Sequence, residues 1–125
     1  MVTEFLTKAE ENLEAARLCA DSGLYNASAN RAYYAALQAA VAALADKGIK
    51  KRNKIDHGAV QADFNSLLIR KQKVYPARLK SRLLSMQSLR DQADYEPGNV
   101  SMKQASRQIA KSEEMVAIIK KEIIK

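Results

Sequence analysis

The chain has 125 residues, which fits a single domain over residues 1–125, and its 4 Gly, 2 Pro and abundant alanine favour helices over an all-β fold. It has no apolar run long enough to cross a bilayer, no recognisable signal peptide and one cysteine, so we expect a cytoplasmic protein without a disulfide framework. The net charge of +7 is concentrated in two basic runs, Lys47–Lys54 and Arg70–Arg82. Such runs attract RNA, DNA or an acidic partner, unless they only keep the surface soluble.

The first half of the chain reads as two long helices. Apolar residues recur at three- and four-residue spacing, which predicts a helix from about Thr3 to Asp21 and another from about Leu24 to Lys47. Gly23 and Gly48 follow these segments and are expected to end the two helices.

The second half reads as three further helices. Asp56 is expected to cap a third helix that runs to about Lys71. Pro76 suits the first turn of a fourth helix that reaches Tyr95, and Ser101 suits the N-cap of a last helix. Short connections between long helices predict an all-α, up-and-down antiparallel bundle of about five helices.

The second helix carries an unusual polar run, Asn30-Arg31-Ala32-Tyr33-Tyr34, among small and apolar residues. A buried unpaired charge is costly, so Arg31 should either pair with Asp94 or Asp91 or face a functional cleft. The first alternative makes the run part of a structural network in the core. The second makes Asn30, Arg31, Tyr34 and Asp94 the lining of a cleft for a phosphate or a nucleotide.

A second polar group lies at the end of the fourth helix, where Arg90, Asp91, Asp94 and Tyr95 fall within about a turn and a half. Arg90 and Asp94 are four residues apart, so they either pair only with each other or form part of a site. His57 is the single histidine. It is either structural or a base that needs a partner from another helix or subunit, and one histidine argues against a zinc site, so we expect no metal or cofactor.

These motifs resemble those of the prokaryotic branch of the HEPN family, a family of small all-α domains, over nearly the whole chain. The pattern A-x-x-N-L-x-A-A runs from Ala9 to Ala16. A second run begins Gly-x-Tyr at Gly23 and ends Arg-Ala-Tyr-Tyr-Ala at Ala35. A His opens the third helix with a Phe a few residues on, and R-x-x-A-D-Y runs from Arg90 to Tyr95.

The resemblance implies a helical bundle that often forms a homodimer and that commonly pairs with a small nucleotidyltransferase encoded beside it. Many members of the family are metal-independent ribonucleases used as toxins, with an R-x4-6-H motif as active site. In these enzymes the His acts on the ribose 2′-hydroxyl, and the Arg stabilises the charge of the phosphorane.

The sequence departs from this motif at one position. Arg90 and the polar Asp91 match it, but Tyr95 stands where the His is expected. With a reference pKa of about 10, tyrosine is a poor base at neutral pH, although it can donate a hydrogen bond or act as an acid. The segment from Arg52 to His57 matches R-N-x3-H literally, but it lies between the second and third helices.

Three functions are compatible with these residues. The preferred one is a module that binds a nucleotide or RNA through Arg31, Arg90 and Tyr95, as the partner of a small nucleotidyltransferase in a toxin–antitoxin-like pair. The second is a metal-independent ribonuclease that uses Arg90 with Tyr95, or Arg52 with His57. In the third, the polar residues form a structural ion-pair network and function lies in partner surfaces.

Overall fold

Within residues 1–49 and 56–125, which the computed structural model describes, all regular structure is helical, and the predicted all-α class is confirmed. A π-helical segment, Phe64–Lys71, continues the third helix, and a single 3₁₀ turn, Ala77–Leu79, precedes the fourth. The five α-helices are α1 (Val2–Asp21), α2 (Tyr25–Asp46), α3 (His57–Asp63), α4 (Arg82–Tyr95) and α5 (Met102–Ile123). None of these helices is long and apolar enough to cross a membrane.

Local signals in the sequence set most of the helix ends. Gly23 and Gly48 follow α1 and α2 with φ angles of 77° and 76°, a left-handed conformation that glycine adopts without a steric penalty. The carboxylate of Asp56 accepts a hydrogen bond from the amide of Ala59, at 3.1 Å. Ser101 and Gln104 form a reciprocal capping box at the start of α5. The predicted roles of these residues are therefore confirmed.

Helix α2 is the centre of the bundle, because α1, α4 and α5 all pack against it. Most of its alanines are buried; the fully buried ones include Ala32, Ala35, Ala36, Ala39 and Ala40. Such small side chains let the neighbouring helices approach closely. Two buried serines fix the approach, since Ser28 donates to the carbonyl of Ala16 and Ser112 to that of Ala32, both at 2.8 Å.

The four long helices alternate in direction, as the predicted up-and-down bundle requires. Contacts between α1 and α2, between α2 and α4, and between α1 and α5 each join early residues of one helix to late residues of the other. These contacts are Asn12–Gln38 and Ala16–Ser28, Asn30–Asp94 and Tyr34–Arg90, and Glu10–Lys120 and Arg17–Glu113. The short α3 begins beside Tyr33, part-way along α2, which places the partly buried His57 against α2.

The prediction that the fourth helix begins at Pro76 is wrong. After the 3₁₀ turn, Lys80 is extended and Ser81 is left-handed, with φ of 67°, and α4 begins only at Arg82. The physical reason is tertiary: Tyr75 and Leu79 are almost fully buried, so the chain is anchored to the core on both sides of Pro76. Burial of these two side chains outweighs the local preference for a continuous helix.

Candidate functional site

Arg90 on α4 is the centre of a cluster of polar and aromatic side chains. Its Nη2 donates a hydrogen bond to the hydroxyl of Tyr34 on α2, at 3.0 Å, and a longer one to the hydroxyl of Tyr95, at 3.4 Å. The guanidinium carbon lies 5.4 Å from the centre of the Tyr34 ring and 5.5 Å from that of the Tyr95 ring. Both distances fall within the range of a cation–π interaction.

Two carboxylates hold the charge of Arg90. Its Nη1 donates to Asp91 at 3.1 Å, and its Nε lies 3.1 Å from Asp94 without an aligned hydrogen bond. The second contact is therefore an ion pair only. Burial is the largest influence on the pKa of Arg90 and lowers it, but Tyr34, Tyr95 and the two carboxylates outweigh burial, so that the pKa is raised. The pairing of Arg90 with Asp94 predicted from their spacing is confirmed.

The predicted ion pair of Arg31 with Asp94 or Asp91 is wrong. Arg31 donates to the side-chain oxygens of Asn30 and Asn12, and no described carboxylate pairs with it. Asp94 is engaged by Arg90 and by the amide of Asn30, at 2.8 Å, which leaves Arg31 with amide partners that carry no charge. Its guanidinium carbon lies 5.1 Å from the centre of the Tyr34 ring. The two arginines therefore both contact this ring, and only Arg90 is neutralised.

His57 joins the same cluster from the start of α3. Its ring centre lies 5.6 Å from that of Tyr34, at 80°, in an edge-to-face arrangement. Its Nδ1 lies 3.1 Å from the hydroxyl of Tyr33, which is fully buried. The positive charge of Arg90 and the negative charge of Asp91 both act on the pKa of His57. The sequence placed His57 and Arg90 in separate motifs, but the fold brings them together.

The hydrogen bonds around Tyr33 bear on which ring nitrogen of His57 carries the proton. The amide of Gln61 donates to Tyr33, at 3.2 Å, and to Gln87, at 2.8 Å. Since the Tyr33 hydroxyl already accepts from Gln61, its own hydrogen needs an acceptor, and Nδ1 of His57 provides it. Burial raises the pKa of Tyr33 to about 12, so the hydroxyl keeps its proton. With the Gln61 amide as the donor to Tyr33, this arrangement of hydrogen bonds places the proton of neutral His57 on Nε2.

The pKa of His57 is lowered, first by burial and then by the charge of Arg90. Neutral His57 is thus the prevailing form at pH 7. No described residue forms a hydrogen bond with Nε2. This nitrogen therefore presents an N–H donor for an acceptor atom of a ligand. The roles of Tyr33 and Gln61 in orienting the ring were not predicted, and no local signal marks them, because the contacts join residues far apart in the chain.

Tyr95 is the exposed member of the cluster, with 73% of its surface accessible. One face of its ring lies against Arg90, and the remainder is open to solvent. Arg52, the arginine of the second Arg–His motif, lies outside the described residues. Within the described ranges, no group of three or more His, Cys, Asp or Glu side chains could hold a metal ion.

Comparison with known proteins agrees with the geometry. The model of the HEPN domain family matches residues 2–123, which is nearly the whole chain. The protein belongs to the HEPN domain family. No curated protein matches the chain. HEPN domains are helical and are associated with nucleotides and RNA, and the Arg90 cluster is the part of this HEPN domain where side chains from α2, α3 and α4 converge.

Proposed function

We propose that this HEPN domain binds RNA or a nucleotide at the cluster formed by Arg31, Tyr34, His57, Arg90 and Tyr95. The observation that carries the proposal is the exposed ring of Tyr95, which rests against a guanidinium. An exposed aromatic ring stacks on a nucleobase of any sequence, and such stacking contributes about 1–3 kcal/mol per base. Arg31 supports the proposal, because a guanidinium held only by amides keeps a charge that a phosphate can neutralise.

The protonation of the site favours binding over cleavage. A general base needs a free lone pair, but the Nε2 atom of His57 carries the proton and Nδ1 is occupied by Tyr33. The phenolic hydroxyl of Tyr95 can donate a hydrogen bond to an acceptor atom of a ligand. His57 and Tyr95 are thus better suited to donate hydrogen bonds to a phosphate or a base than to remove a proton.

Binding of a fluorescently labelled trinucleotide of RNA, followed by fluorescence anisotropy, tests the proposal. Because Tyr95 is exposed, Tyr95→Ala should leave the fold intact and weaken binding by about 1–3 kcal/mol, the contribution of one stacked base. Tyr95→Phe keeps the ring and should retain most of the affinity. Leu84→Ala truncates an exposed large side chain outside the cluster and serves as the control. Equal affinities of Tyr95→Ala and the wild type would refute the proposal.

We further propose that the protein acts in the cytoplasm as a homodimer and as the partner of a small nucleotidyltransferase, in a toxin–antitoxin-like pair. The support for the dimer and for the partner is membership of the HEPN family, whose members often dimerise and commonly pair with such an enzyme. Light scattering of the purified protein tests the dimer. Co-purification with the product of a neighbouring nucleotidyltransferase gene tests the partner, and a monomer that binds no such product would contradict both.

A metal-independent ribonuclease is the second candidate, and one observation favours it: the fold brings His57 to the same tyrosine that Arg90 contacts. Catalysis would then use Arg90 with His57 instead of Tyr95, after the proton of His57 moves to Nδ1. RNA cleavage in the presence of EDTA should be abolished by His57→Ala and retained by Tyr95→Phe. Absence of cleavage by the folded wild type would eliminate this candidate and leave the binding module.

A further inference from the structure

The segment from residue 64 to residue 90 has a strong excess of positive charge, with seven Arg or Lys and no Asp or Glu. Three of the seven have acidic partners: Arg90 in the site, and Arg78 and Arg82, which pair with Glu114 of α5 at 3.6 and 2.9 Å. The other four are exposed, and none forms an ion pair with a described residue; they are Arg70, Lys71, Lys73 and Lys80. We call these four residues the basic loop.

The basic loop is anchored to the core although its charged side chains are exposed. The amides of Val74 and Tyr75 both donate to the carbonyl of Leu68, at 2.8 and 3.2 Å, which folds the chain back at the end of the π-helical segment. Leu68, Tyr75 and Leu79 are buried, and the 3₁₀ turn packs on the π-helical segment. The four exposed charges are therefore attached to a segment whose apolar side chains are anchored in the core.

The basic loop lies away from the Tyr95 site, at the other end of the paired α3 and α4. A hydrogen bond of 2.8 Å between Gln61 and Gln87 links these helices, and His57 and Arg90 lie on the side of this link that faces the site. From Arg82 to Tyr95 helix α4 rises about 20 Å, at about 1.5 Å per residue. A stacked strand advances about 3.4 Å per nucleotide, so about six nucleotides are needed to reach from the site to the loop.

We propose that the basic loop binds the phosphates of a single-stranded RNA whose other end occupies the Tyr95 site. This inference rests on the proposed function and specifies its ligand as a strand instead of a mononucleotide. Four cations without acidic partners complement the repeated charge of a nucleic-acid backbone. The basic loop has no exposed aromatic side chain, so it contacts phosphates without reading the bases. Binding at the basic loop is therefore independent of the RNA sequence.

Anisotropy titrations with a labelled trinucleotide and a labelled dodecanucleotide of uridine, each at several salt concentrations, test the inference. The variant Lys71→Gln, Lys73→Gln, Lys80→Gln removes three of the four charges of the basic loop. The control variant Lys8→Gln, Lys103→Gln, Lys121→Gln removes the same charge from exposed positions of α1 and α5 that have no described ion-pair partner. Each phosphate contact contributes about 0.7 to the slope of log K against log salt for a single strand.

For the dodecanucleotide, the slope should fall by about 2 in the loop variant and stay unchanged in the control variant. The trinucleotide is too short to reach the loop, so its affinity should be the same in both variants. Equal dodecanucleotide slopes in the two variants would overturn the inference and leave the proposed function intact. Dodecanucleotide binding that the loop variant weakens but Tyr95→Ala does not would overturn the proposed function. It would also overturn the inference that one strand occupies both the Tyr95 site and the basic loop.

Discussion

The two most buried tyrosine hydroxyls allow a direct test of the hydrogen-bond network behind the site. Tyr33 and Tyr75 are 0% and 3% exposed. The hydroxyl of Tyr33 accepts from Gln61 and donates to His57, whereas that of Tyr75 is buried without a hydrogen-bond partner among the described residues. Substitution by phenylalanine removes one oxygen from each and leaves the ring packing unchanged. The two variants therefore differ in the loss of hydrogen bonds and in little else.

Tyr33→Phe should lower the free energy of unfolding by about 1–3 kcal/mol. The substitution leaves an N–H of Gln61 without its acceptor, and Gln61 is 8% exposed, so little water can replace the lost partner. His57 is only partly buried, and water can satisfy its Nδ1 more readily. Tyr75→Phe should leave the stability unchanged or raise it by about 1 kcal/mol, because it removes a buried polar group that has no partner.

Urea denaturation at pH 7, followed by circular dichroism, measures both effects, provided that the slope m is the same in wild type and variants. The reasoning requires Tyr33→Phe to be less stable than Tyr75→Phe by at least about 1 kcal/mol. Equal stabilities of the two variants would refute it. That result would mean that the Tyr33 hydroxyl contributes nothing to the network that orients His57, and the assignment of its proton to Nε2 would then lose its basis.

Three further predictions concern the pH dependence, a helix cap and the core. The pKa of His57 is lowered in the folded state, so the unfolded chain binds more protons just below pH 6.5. The free energy of unfolding should therefore rise with pH up to about 7. Denaturation at several pH values should show a smaller rise in His57→Gln. Ser101→Ala removes the capping box and should cost about 1 kcal/mol, while Ser106→Ala on the exposed face of α5 should cost nothing; equal losses would contradict the role of the cap. Ala36→Leu inserts a large side chain at a fully buried position of α2 and should lower the free energy of unfolding by about 1–3 kcal/mol or more. A thermal unfolding midpoint equal to that of the wild type would show that the helices are not closely packed there.

Much of the fold could be predicted from the sequence because the relevant interactions are local. Gly23, Gly48, Asp56 and Ser101 act on the backbone within a few residues of themselves, and they end or begin helices as predicted. The predicted helix boundaries were wrong where a contact with a distant residue determined the conformation of the backbone. Burial of Leu79 in the core interrupts the segment after Pro76, and a window of neighbouring residues carries no information about that burial.

In the candidate site, too, local interactions could be predicted from the sequence and contacts between distant residues could not. The sequence by itself determined the HEPN motifs, the all-α class and the pair of Arg90 with Asp94, since residues four apart on a helix are neighbours in any fold. Only the tertiary structure decided that Arg31 has amide partners and that His57 lies against Tyr34 beside Arg90. These contacts depend on how α1, α2, α3 and α4 pack, and helix packing is set by the whole core instead of by any one segment.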